Sequence, residues 1–419
     1  ALQDIARSLG VDFILDGTVR KWGDKLRVML QLRHLDSDDS RWSERFSSTI
    51  GDWFTIQEEI ARSVAAELAI QLSAPEPADE DGPEDRRVVE SYLRARYETL
   101  RFSKDGLDRA TRILINGLNL VGPKARLLGA LGHAYAKYSE LGFDPTGEFI
   151  TKAAACAEKV FELDPYSASG HLLLGMVRFH SGSLREARAP LERSLDANPT
   201  DPDTLLMLGY LYALSGQNDR ASQLFDEALT VDPLTPLNHC MPGFVAIMEG
   251  RYADALPPYR RFVEMDPTNP FAIWAWSYVL LRNGRVDEAS KAVRELNSEH
   301  AGSVLAQMGT SLYHGVCGEP VAARQALTDE LRAAARNSEL VSRELTHCLA
   351  LAGETEEALN WLENTVGIGN VNYPFWSQHN EWVDSIRGNT RFSELMRDVE
   401  QEWLSAISRL PSADSETAA

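Results

Sequence analysis

The chain has 419 residues, of which 44% are hydrophobic and 25% charged. These values sit near the averages of folded soluble domains and exclude both wholesale disorder and a membrane channel as starting points. Lys plus Arg number 42 against 62 Asp plus Glu, and the net −20 disfavours electrostatic binding to phosphate backbones or anionic lipid, leaving basic or apolar partners.

No run of about 18 or more apolar residues occurs, and no basic-then-apolar leader precedes Ala1, so neither a membrane span nor an export signal is expected. The chain opens without Met inside a helix-like pattern and reads as part of something longer. Cys156, Cys240, Cys317 and Cys348 are scattered without a C-x-x-C pair and read as buried free thiols.

From residue 11 to residue 50 apolar and polar residues alternate with period two, which predicts half-buried strands. Val11, Phe13 and Leu15 share one face; Leu26, Val28, Leu30 and Leu32 follow, with Arg27, Gln31 and Arg33 opposite. Gly23-Asp24 supplies a tight hairpin and residues 36–39 a polar turn before Trp42 and Phe46. Asp52 caps a predicted helix bearing Trp53, Ile56, Ile60, Val64 and Leu68. Residues 1–73 thus form a small α/β domain whose single three-stranded sheet makes a thin core, and part of it is expected upstream. Residues 74–85 hold three prolines and six carboxylates, and the segment 74–88 reads as a solvated linker.

After the linker the pattern is helical and its punctuation is periodic. Pro165, Pro199, Pro233 and Pro267 are 34 residues apart, and Gly175, Gly209 and Gly243 follow them at an offset of ten. Ala187, Ala221, Ala255 and Ala289 repeat as well, each followed four residues later by Leu191, Phe225, Tyr259 and Val293. Gly and Ala remove side chains where two antiparallel helices cross closely, and Pro prevents the second helix from running on. This 34-residue pattern resembles the tetratricopeptide repeat. About eight repeats are expected over 89–371. The first carries Ala95 in place of the glycine, the second has an insertion from Leu141 to Phe149 free to loop out, and the pair at 303–335 is poorly matched. A capping segment over 372–410 includes a helix with Phe392, Leu395, Val399 and Trp403 on one stripe, and 411–419 form a disordered tail. The predicted class is mostly α, a right-handed α-α superhelix preceded by the small, incomplete α/β domain.

The resemblance implies a peptide-binding concave surface built from the first helix of each repeat. There the stripe reads Leu172, Met176, Phe179; Leu206, Tyr210, Ala213; Cys240, Phe244, Ile247; and Trp274, Tyr278, Leu281. The groove candidates are Leu172, Met176, Phe179, Leu206, Tyr210, Phe244, Ile247, Trp274 and Tyr278. Chaperone-binding relatives place Lys, Asn and Arg there to clamp a terminal carboxylate; this stripe is apolar and aromatic and fits an apolar or helical protein segment instead, from a partner or from the parent chain. For any one of these residues, core packing is the commoner role of such a stripe.

Chemistry is sparse. Asp36-x-Asp38 opens like a calcium loop, but Arg41 stands where Gly is needed and Ser47 where the closing Glu belongs. His314 and Cys317 share a helix face and read as a core pair. Gly367-Ile368-Gly369 lacks the third glycine of a dinucleotide loop, and no Gly-Lys pair or G-x-S-x-G elbow occurs. No catalytic residue, metal site or cofactor is expected.

Residues Gly10 to Leu68, including VDFILDGTVRKWGDKLRVMLQL, RWSERF and DWFTIQEEIARSVAAEL, resemble the region related to the TolB amino-terminal domain of bacterial signalling proteins. SYLRARY (91–97) and NYPFWSQHNEWVDSIRGNTRFSEL (372–395) extend the resemblance. Asn389-Thr390 replaces the more usual Asp-Pro. The resemblance implies a region that follows a class III adenylate or guanylate cyclase domain, or a winged-helix DNA-binding domain, and that normally has a strand and helix before this chain's first residue. The expected role is a non-catalytic, protein-binding scaffold in the cytoplasm, or in the periplasm if a membrane span precedes it. The rival expectations are the regulatory part of a nucleotide cyclase and the sensor part of a transcription regulator.

Overall fold

The period-two alternation forms three antiparallel strands in the order β1 (Phe13–Trp22), β2 (Lys25–His34), β3 (Ser40–Thr49). Trp22 pairs with Lys25 across a turn at Gly23, whose φ of +63° lies in the left-handed region that favours glycine. The computed structural model describes residues 13–23, 25–34, 40–49 and 86–408, with Ile56, Glu59, Ile60, Ser63 and Val64. The helix expected before Gly10, the 36–39 turn with its Asp36-x-Asp38 motif, the acidic stretch 74–85 and the tail 411–419 lie outside these residues. Leu26, Val28 and Phe46 pack with Ile56 and Val89 into one cluster, as the alternation requires. Leu15 and Val19 pair with Leu32 and Val28 and so lie on the same face, yet they are 45% and 61% exposed, so the core is thinnest at β1.

The chain divides into two compact units, one of residues 1–94 and 116–123, the other of 95–115 and 124–419. The helices in chain order begin with α1 (Arg86–Thr99), α2 (Lys104–Val121), α3 (Ala125–Glu140) and α4 (Glu148–Leu163). Next come α5 (Ala168–His180), α6 (Leu184–Ala197), α7 (Pro202–Leu214), α8 (Asn218–Val231), α9 (Pro236–Met248) and α10 (Tyr252–Met265). Then α11 (Pro270–Arg282), α12 (Val286–Glu299), α13 (Val304–Val316), α14 (Pro320–Gln325), α15 (Asp329–Ala335), α16 (Glu339–Leu351) and α17 (Thr355–Ile368) follow. After a strap at 370–383 come α18 (Asp384–Arg387) and α19 (Thr390–Ser408). From α3 onward this is a solenoid of helix pairs.

The repeated small residues sit where the helices cross. A Cβ on Gly175, Gly209 or Gly243 would lie 2.5, 2.6 or 2.8 Å from Leu191, Phe225 or Tyr259 of the paired helix, the residues that repeat four positions after the alanines. Ala187, Ala221, Ala255 and Ala289 are fully buried. A second glycine series at the same period, Gly182, Gly216, Gly250 and Gly284, has φ between +66° and +76° and ends each first helix. There the next amide bonds back five residues, as from Ser183 N to Arg178 O (3.0 Å) and Arg251 N to Ala246 O (2.8 Å). Pro165, Pro199, Pro233 and Pro267 fall just after the second helices, while Pro202, Pro236 and Pro270 open the next ones.

Two departures matter for the site. The 141–149 insertion is folded rather than looped out: buried Asp144 accepts from the amides of Phe149 and Ile150 (both 3.0 Å) and from Ser139 Oγ (2.8 Å), capping α4. The solenoid also returns on itself. Ser338 Oγ donates to Glu140 O (2.7 Å), Val371 N to Leu214 O (2.9 Å), and Asn372 Nδ2 to Ala213 O (2.8 Å). Met396 joins Phe392 and Val399 on the buried stripe of α19.

Candidate protein-binding groove

The repeat period brings the nine candidates together. Leu172, Met176 and Phe179 stand on α5, Leu206 and Tyr210 on α7, Phe244 and Ile247 on α9, Trp274 and Tyr278 on α11. Their rings form a ladder from helix to helix: Phe179 to Tyr210 6.0 Å and Tyr210 to Phe244 5.2 Å between centroids, with Trp274 to Tyr278 at 5.6 Å further along. The stripe is nevertheless not an open surface. Leu206 and Tyr210 are half-buried and the other seven are buried.

Part of the cover is the chain's own α16, whose polar residues are buried along with its apolar ones. The Tyr210 hydroxyl donates to Glu339, and the Arg343 guanidinium lies 5.6 Å from the Phe244 ring centroid. Arg343 donates to Glu339 Oε1 (3.0 Å) and to Glu344, and Asn370 of the strap donates to Glu339 (2.8 Å). On the other side Arg282 stands 3.5 Å over the Trp382 ring and donates to Asn380 Oδ1 (3.0 Å), which fixes that amide so its Nδ2 donates to His347 Nε2 (2.8 Å). His347 therefore carries its proton on Nδ1, which faces Glu344 Oε2 at 3.1 Å. Burial pushes His347 down to about 4 despite Glu344. Two arginines and two glutamates, all buried, balance each other inside an aromatic groove.

Beside α16 a cavity of about 120 Å³ remains, and seven of the nine candidates line it: Met176, Leu206, Tyr210, Phe244, Ile247, Trp274 and Tyr278. Leu172 and Phe179 lie outside it. Phe102, Met207, Cys240, Met241, Tyr259 and Phe271 are among the other apolar wall residues, and His133, Lys137, Glu140, Asp203 and Arg343 give a polar portion. Those charges are paired. Arg96 bonds Asp203 through both terminal nitrogens, and Lys137 Nζ lies 2.7 Å from Glu140 Oε2. Burial alone would raise the Asp203 carboxyl, but Arg96, His133 and Lys137 outweigh it and hold it at about 2. Burial pushes His133 down to about 4 against the pull of Asp203.

Among the described residues no group of three or more His, Cys, Asp or Glu could hold a metal ion, and no helix is long and apolar enough to cross a membrane. Cys156, Cys240 and Cys348 are buried, with burial raising each thiol, that of Cys156 to about 11. Cys317 departs from the expectation: it is exposed, because it caps the end of α13, and its presumed core partner His314 pairs instead with Glu319 Oε2 at 2.6 Å. The residues not singled out from sequence are Arg282, Glu339, Arg343, Glu344 and His347, because a charged helix such as ELVSRELTH reads as a solvated face. The poor match of 303–335 was a signal: its second helix is broken into α14 and α15, and α16 follows directly.

The tetratricopeptide repeat family matches residues 147–202 and 178–237. This part of the chain is built of tetratricopeptide repeats. A Rhizobium meliloti protein that carries an adenylate cyclase name is 24% identical over 189 residues, 44% of this chain. The match spans only 32% of that protein's length. Among solved structures, a tetratricopeptide repeat protein from Parabacteroides merdae is similar at 14% identity, covering 66% of this chain and 99% of that one, with TM-score 0.39. The Cut9–Hcn1 hetero-tetramer is similar at 15% identity, covering 80% of this chain and 62% of that one, with TM-score 0.48.

Proposed function

We propose that the solenoid is a non-catalytic protein-interaction scaffold of a bacterial signalling protein, working in the cytoplasm and taking an apolar side chain of a protein segment into the cavity beside α16. The observation that carries this is the convergence of seven groove residues from four first helices on one cavity. Concave, apolar and partly closed, such a site suits an anchor residue of a bound segment rather than a carboxylate tail. Leu206 is a half-buried member of the wall and, unlike Tyr210, is not hydrogen-bonded to α16, which makes it the point of attack. Leu206→Arg should reduce capture of the physiological partner from cell extract by at least tenfold, about 1.4 kcal/mol, while thermal melting stays close to wild type. Equal capture by both forms, measured by quantitative mass spectrometry, would contradict the proposal.

A second reading is favoured by the similarity to the cyclase-named protein. There the chain is the regulatory part of a class III adenylate or guanylate cyclase, its sheet unit related to the TolB amino-terminal region, and cyclic-nucleotide formation by the complete gene product decides it. A winged-helix segment in that product would support the transcription-sensor alternative instead.

A further inference from the structure

The size of the cavity decides which side chain it can take. An apolar cavity of about 150 Å³ holds benzene, with its six carbons, so the space of about 120 Å³ beside α16 holds about five heavy atoms. Counted from Cβ, a Leu, Ile or Met side chain brings about four such atoms and Phe about seven, so an aromatic anchor would have to push the walls apart. The ring walls resist this. Phe244 stacks against Tyr210 at 5.2 Å, and Trp274 is held between Phe271 and Tyr278 at 5.6 Å from each, with Tyr278 in turn against Trp382 at 5.2 Å. Met207 and Met241, by contrast, can adjust to a branched or a straight aliphatic chain. The charges on the polar side are engaged with one another as Arg96–Asp203, Lys137–Glu140 and Arg343–Glu339, which leaves the choice to the apolar wall. The chain's own α16 supplies a precedent: Leu340 and Arg343 both line the cavity, and Arg343 lies over Phe244, so the cavity continues an interface in which the groove already seats a leucine-bearing helix.

We propose that the anchor of the bound segment is an aliphatic side chain, Leu, Ile or Met, and that Phe, Tyr and Trp are excluded from the cavity by size. This rests on the protein-segment reading and narrows it to one class of partner.

The test is selection of random peptides displayed on phage against the 419-residue chain, followed by calorimetry with the peptides obtained. The expected result is a set of peptides that fail to bind the Leu206→Arg form and share one position held by Leu, Ile or Met. Replacing that residue by Phe, or by Ala, should weaken binding to the wild-type chain about tenfold. The Ile247→Ala chain, whose wall has lost three carbons, should bind the Phe and Leu peptides about equally; Met241→Ala enlarges the same cavity and replaces it if its melting temperature falls well below wild type. An aromatic residue at the anchor of the Leu206-dependent peptides, or equal binding of the Phe and Leu forms by the wild-type chain, overturns this proposal and leaves the protein-segment reading standing. Discrimination that persists in the enlarged cavity does the same, since the anchor then sits elsewhere. Failure to obtain any peptide that depends on Leu206 overturns both.

Discussion

Acidification from pH 7 to about pH 4 is expected to unfold the helical unit. His133, His180 and His347 are all held near 4 by burial, against an ordinary value near 6.5. Each has its own reason to refuse a proton. At His347 the second proton would go on Nε2, which already faces donors from Asn380 and Arg282. At His180, which is 7% exposed, neither ring nitrogen has a hydrogen-bond partner among the described residues, with Glu140, Asp144 and Lys137 as the facing charges. At His133, Asp203 and Glu140 favour the charge while Lys137 and Arg96 oppose it.

Because the folded values are lowered, the unfolded chain takes up protons first as pH falls. The stabilisation is complete above about pH 6.5 and is lost progressively down to about pH 4, at roughly 3 kcal/mol per histidine. Asp203, held at about 2, adds a smaller loss of the same sign below about pH 4. Three histidines together approach the whole stability of a typical domain, ~5–15 kcal/mol. Urea titrations at several pH values check this, with His347→Gln expected to remove about one proton from the slope of stability against pH. Stability that is flat from pH 7 to pH 4.5 would show that these rings are solvated or paired differently.

Arg343→Met should destabilise the solenoid by about 3–5 kcal/mol. The substitution keeps much of the volume but removes the donor to Glu339 and Glu344 together, leaving buried Glu339 with Tyr210 and Asn370 and buried Glu344 with His347, and neither with a full counter-charge. Adding Glu344→Gln should recover part of the loss, because a neutral amide costs less to bury than an unpaired charge. The urea midpoint reads both effects, and a change below about 1 kcal/mol would place Arg343 among ordinary exposed ion pairs.

The repeat architecture was legible because each of its signals has a local cause. Gly209 must be small to admit Phe225, and Pro199 stands where helix α6 has to stop. The strand alternation was equally plain, since burial of Leu26, Val28 and Phe46 follows directly from period two. The stripe from Leu172 to Tyr278 was also identified, but what lies on it could not be read. Whether Phe244 meets solvent or Arg343 depends on residues about a hundred positions apart being brought together by superhelical closure, which no local spacing encodes. The role of α16 was hidden for the same reason, because Tyr210, Arg282, Asn370 and Asn380, which partner its polar side chains, come from distant parts of the sequence.

The aromatic stripe is closed by the chain's own α16, and the cavity beside it remains for a ligand. Hydrogen exchange of the native chain tests this most directly at the amides of Leu345, Cys348 and Leu349, all fully buried. They are expected to exchange only through global unfolding, at the rate of the repeat-core amides of Leu208 and Phe225. Exchange orders of magnitude faster than that core would mean that α16 detaches from the groove, and that the whole stripe, rather than the cavity alone, is the binding surface.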